Sequence, residues 1–120
     1  AHIVHDRRSG YPFLRELDGC AATHLSLEAA QPDLDPEILR EVPSKAIVLG
    51  VLDLGSGEAE TPELVAARIR RALTVLPPER LVVAPDCGMK YLTRELAFRK
   101  LEAMVVGAGI VRDEIALGAR

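Results

Sequence analysis

Three short runs along the chain read as buried strands: Ala22–Leu27, Ala46–Leu52 and Leu81–Ala84. The middle run, Ala-Ile-Val-Leu-Gly-Val-Leu, is apolar at every position, the pattern of a strand covered on both faces. Ile3–His5 reads as a fourth strand, cut short at its start; the first residue is Ala rather than Met, and the reading is of a chain that opens inside a strand, as a fragment does. Helical spacing fills the intervals. Thr61-Pro62-Glu63 combines an N-cap, a proline suited to the first helical position and a carboxylate in the positive first turn. Val65, Ile69, Ala72, Leu73 and Leu76 then recur on one face until Pro77-Pro78 stops the helix.

A second long helix is predicted from about Thr93 to Ile115, with Leu96, Lys100, Leu101, Met104, Val105, Ala108 and Val111 on its inner stripe and Phe98 in the core. Gly107 and Gly109 should each weaken it by about 1 kcal/mol relative to Ala. Shorter helical pieces are predicted at Tyr11–Leu17 and from Asp35-Pro36 through Val42. Glu63, Arg68, Arg70 and Arg71 read as a solvated helix face. The order is β-α-β-α-β-α-β-α, which builds a parallel sheet with right-handed crossovers. Residues 1–120 are read as one domain, an α/β fold of four βα units: a small open sheet or half of a (β/α)8 TIM-type barrel.

Composition narrows the function classes. At 48% hydrophobic and 28% charged the chain can bury a core, but only 3% is aromatic, so that core is aliphatic and few rings are available to stack on bases. The net charge is −3 with no basic block, which argues against a nucleic-acid partner. The longest apolar stretches, Ala46–Leu52 and Met104–Val111, fall far short of the roughly 20 residues of a membrane span. Ala1–His5 has neither the basic start nor the apolar core of a secretory leader. Cys20 and Cys87 are isolated and form no disulfide pattern, so a cytoplasmic setting is expected.

In parallel α/β folds ligands bind at the carboxyl ends of the strands. His5 and Asp6 follow the first run, Glu28 the second, Asp53 and Ser56 the third, and Asp86, Cys87 and Gly88 the fourth. Ala84-Pro85-Asp86-Cys87-Gly88 is the sharpest feature: a cysteine at a strand end, before a glycine that permits unusual backbone angles, can project its sulfur into a site. The alternative is a small buried hydrophobe, the commonest fate of a free cysteine. Glu28 is either a site carboxylate or a cap or ion-pair partner. Cys20 precedes its strand; eight extended residues span up to about 26 Å, so Cys20 and Glu28 cannot share a metal. Neither a phosphate-binding glycine loop nor a Gly-x-Ser-x-Gly nucleophile motif is present.

Pro85-Asp86-Cys87-Gly88-Met89-Lys90, with the helix ending Lys100-Leu101-Glu102-Ala103-Met104-Val105, resembles the final segment of cobalamin-independent methionine synthase. Leu27-Glu28, and Gly50–Ser56 leading into Glu60-Thr61-Pro62-Glu63, resemble the same family. The resemblance covers the second half of its zinc-bearing C-terminal barrel. It implies zinc ligation by His2, Glu28 and Cys87, with Val4 standing where the family has a second cysteine ligand. It further implies transfer of a methyl group from methyltetrahydrofolate to a thiol such as homocysteine, with Asp53 and Ser56 in the catalytic loop. Gly55 occupies a position that is His in longer members and Lys in many shorter ones. Two other readings stand beside this one: a non-catalytic βα module that self-associates or docks on the absent N-terminal half to complete a barrel, and a barrel enzyme resembling uroporphyrinogen decarboxylase, which needs no zinc.

Overall fold

Ala46–Leu52 is the most apolar run in the chain, and it lies at the centre of the sheet. A computed structural model describes residues 11–118, with strands β1 (His24–Leu27), β2 (Ala46–Leu52) and β3 (Leu81–Pro85) in the order β1-β2-β3, all parallel. The strand read at Ile3–His5 lies outside the described residues, so three of the four expected strands can be compared. Leu25 pairs with Ile47 and Leu27 with Leu49 on one side of β2; Ile47 pairs with Leu81 and Leu49 with Val83 on the other. Ile47, Leu49, Val51 and Leu52 are all buried, as expected for a strand covered on both faces. The register shifts between Gly50 and Leu52, and Pro85, which has no N–H to donate, faces Leu52 beyond the shift.

Helix α1 is a single turn, Leu14–Leu17. The segment after Asp35 is a 3₁₀-helix, Pro36–Glu41, rather than the α-helix that a cap followed by proline suggests. Its apolar residues explain the difference. Pro36, Leu39 and Val42 repeat every three positions, so they fall on one side of a three-residue turn, and Leu39 and Val42 are buried. Pro43 then keeps Val42 out of the helical region.

Helix α2 (Pro62–Leu73) begins where Thr61 accepts a hydrogen bond from the Leu64 amide at 3.1 Å. Helix α3 (Arg94–Ala116) begins likewise, with Thr93 accepting from the Leu96 amide at 3.2 Å. The two helices meet at Gly107, where a Cβ would stand 2.7 Å from both the Pro62 carbonyl oxygen and Val65 Cβ. Gly107 is therefore a packing requirement; Gly109 faces open space and has no such role. The inner face of α3 carries Lys100, Ala103, Gly107, Ala108 and Val111. Phe98 and Val105, expected inside, are 66% and 65% exposed, because small residues and the reach of Lys100, not the largest side chains, set how α3 seats. No helix among the described residues is long and apolar enough to cross a membrane.

Candidate functional site

The carboxyl ends of the three strands are tied together by one side chain. The Asp86 amide, just past β3, donates to the Leu52 carbonyl at the end of β2 at 3.1 Å. Its carboxylate reaches across β2 to the loop after β1, where Oδ1 accepts from the Ala29 and Ala30 amides at 3.1 and 3.0 Å and Oδ2 accepts from Gln31 at 2.7 Å. The crossing exists only because Gly50 has no side chain: a Cβ there would lie 2.0 Å from Asp86 Oδ1 and 2.8 Å from its Cα. The three amides belong to one tight turn. The Leu34 amide bonds back to the Ala29 carbonyl at 3.1 Å and that of Asp33 to Ala30 at 3.4 Å, with Asp33 left-handed at φ 48°. This is a helix-terminating motif built on a single turn, with Asp86 capping its open amides from the loop after β3.

Glu28 sits between β1 and that turn, half-buried, and its amide donates to the Tyr11 hydroxyl at 3.1 Å. Cys87 follows Asp86 and carries an exposed free thiol, which excludes the buried-hydrophobe reading. Gly88 does not use the positive φ expected of it: among the described residues Gly118 is the positive-φ glycine. The Asp53 carboxylate accepts from the Gly55 amide at 2.8 Å, and Ser56 Oγ accepts from Glu58 at 3.3 Å, so both shape the loop after β2. His2 lies outside the described residues, as do His5 and Asp6. Among the described residues no three His, Cys, Asp or Glu side chains gather as a metal cage. Glu28 and Cys87 are an oxygen and a sulfur donor of the kinds zinc takes.

Beneath the β2 loop lies a charged cluster. Glu60 is buried and accepts from Lys100 Nζ at 2.7 Å, Arg68 at 2.9 Å and the Asp53 amide at 2.6 Å. Lys100, fully buried, also donates to the Asp53 carbonyl at 2.8 Å, and Arg68 to the Val51 carbonyl at 2.8 Å. Burial pushes the Glu60 carboxyl up, but the bonds from Lys100, the Asp53 amide and Arg68 outweigh it and hold the group below its ordinary value. Arg68 is thus part of the site's foundation and not of the solvated face expected for it. Arg70 and Arg71 do lie outside, paired with Glu114 and Asp33. A sequence signal for the cluster existed in the unusual Lys100 on an apolar stripe; none existed for the Asp86 crossing, which joins residues 55 to 57 positions apart.

The chain is an α/β domain, a parallel βα array whose strands are followed by Glu28, Asp53, Asp86 and Cys87. The chain belongs to the cobalamin-independent synthase catalytic-domain family, whose model matches residues 10–109. It is 37% identical to a methionine synthase of Thermococcus kodakarensis over 115 residues, which is 94% of this chain and 34% of the relative. Over 71 residues it is 44% identical to a methionine synthase of Saccharolobus solfataricus, covering 59% of this chain and 21% of that one. It superposes with a TM-score of 0.83 and 30% identity on a B12-independent methionine synthase from Shewanella sp. W3-18-1, solved in complex with selenomethionine, over 86% of this chain and 30% of that chain. The chain therefore spans about a third of the length of the Thermococcus relative.

Proposed function

We propose that the chain supplies the second half of a (β/α)8 barrel that transfers a methyl group from methyltetrahydrofolate to a thiol such as homocysteine, in the cytoplasm. The observation that carries this reading is the Asp86 crossing, which ties the strand end bearing Glu28 to the one bearing Cys87 in a chain of the methionine synthase family. Glu28, Cys87 and His2 are the proposed zinc ligands; three protein donors leave a position open, as catalytic zinc requires. Zinc held by these residues would lower the pKa of a substrate thiol and so favour its thiolate at neutral pH. The protein's own part is to hold the donors, keep Cys87 accessible and, through Glu60 and Lys100, fix the Asp53–Ser56 loop beside them.

Methionine formation from methyltetrahydrofolate and homocysteine, in zinc-supplied protein that includes the first half of the barrel, tests the proposal. Activity is expected to fall by about 100-fold or more in Cys87→Ser, as for loss of an essential group, and Val4→Cys is expected to retain more zinc than the parent. A Val4→Cys protein no richer in zinc, together with no methionine formed, contradicts the proposal. That outcome favours the docking module, the reading supported by Val4 and by the exposed Gly55, which has no side chain to assist a leaving group.

A further inference from the structure

We propose that Asp86 is a positioning residue that sets the Glu28 loop and the Cys87 loop in a fixed relation. The proposal rests on the reading of Glu28 and Cys87 as metal donors, and the geometry adds a role for a residue whose carboxylate is engaged by backbone amides. Four hydrogen bonds define it. The Asp86 amide fixes β3 against the Leu52 carbonyl of β2, and the carboxylate gathers the amides of Ala29, Ala30 and Gln31. Those residues begin immediately after Glu28, and Cys87 begins immediately after Asp86. Each donor is therefore one peptide bond from the crossing. Glu28 is held on its other side by the Leu27–Leu49 pairing and at its own amide by Tyr11.

A carboxylate suits this task better than an amide or a hydroxyl. Converging backbone N–H groups favour an anion, and here both oxygens are used, so an Asn must turn its NH₂ toward one of the amides. The bare backbone at Gly50 gives this side chain its path, since a Cβ there would meet Asp86 Oδ1 at 2.0 Å. The Gly50 position and the Asp86 side chain are thus two parts of one device.

The test compares the parent with Asp86→Ala and with Asp86→Asn, which keeps the side-chain size. Amide hydrogen exchange is read at Ala29, Ala30 and Gln31 and in β2, and zinc affinity is read by competition with a chelator. If Asp86 positions the loop, exchange at residues 29–31 speeds up by about tenfold or more while the β2 amides stay near the parent rates, because local opening is separated from global unfolding. Zinc affinity, where the parent binds zinc, falls by about 10–100-fold, the usual effect of losing a group that orients a ligand. Gly50→Ala is expected to give the same pattern by displacing Asp86. Unchanged exchange at residues 29–31, or equal acceleration across residues 29–31 and β2, overturns the proposal, as does undiminished zinc affinity in Asp86→Ala. A parent that takes no zinc, with exchange accelerated only at residues 29–31, overturns the metal reading and leaves the crossing established.

Discussion

Glu60 is a carboxylate held by two cations and an amide, and each of its partners depends on it. Replacing it with Gln leaves the fully buried Lys100 ammonium without its counter-charge, an uncompensated charge that costs about 3–5 kcal/mol. Urea denaturation at neutral pH is expected to show a loss of that order for Glu60→Gln; a midpoint like the parent's contradicts the account. The pH dependence has a definite sign. The folded Glu60 pKa lies below the ordinary 4.5, so the folded state binds its proton later than the unfolded chain does. The stabilisation is full above 4.5 and is lost as pH falls through the lowered folded value. The parent's stability should therefore decline more steeply below that pH than that of Glu60→Gln, as read from urea midpoints between neutral and acid pH.

At the scale of elements the two glycines of α3 separate two effects that share one residue type. Gly109→Ala adds helix propensity in open space and should stabilise by about 1 kcal/mol. Gly107→Ala forces a Cβ against Pro62 and Val65 and should destabilise by about 1–3 kcal/mol through overpacking. Thermal unfolding of both variants checks the opposite signs. The limits of the sequence reading are of the same kind. The helix starts at Thr61 and Thr93 were legible because caps act within three residues, and β2 because a run with no polar position has one place to lie. The strand-end positions of Glu28 and Cys87 followed from the apolar runs that became β1 and β3. Which way α3 turns was not legible, since Gly107 and Lys100 meet α2 and Glu60 only after the chain folds. Asp86 shows the same limit, because nothing local distinguishes a carboxylate that crosses a strand from one that faces water.

At the scale of the whole molecule, three parallel strands form an open sheet among the described residues. Val82 on β3 is 48% exposed, and α3 presents Phe98 and Val105 outward. Unpaired strand edges recruit other strands, and a contiguous apolar surface of several hundred Å² seldom stays in water. Burying such surface contributes roughly 25 cal/mol per Å², a large sum beside a total stability of about 5–15 kcal/mol. The half-barrel account therefore requires the exposed sheet edge to be covered, and for the isolated chain a second copy is one available cover. Size-exclusion chromatography with light scattering, run beside thermal unfolding, measures this directly. The account predicts either a self-associated species heavier than 13.0 kDa whose unfolding midpoint rises with protein concentration, or a chain only marginally stable without the other half of the barrel. A well-folded monomer of 13.0 kDa, with a sharp cooperative transition independent of concentration, would contradict it.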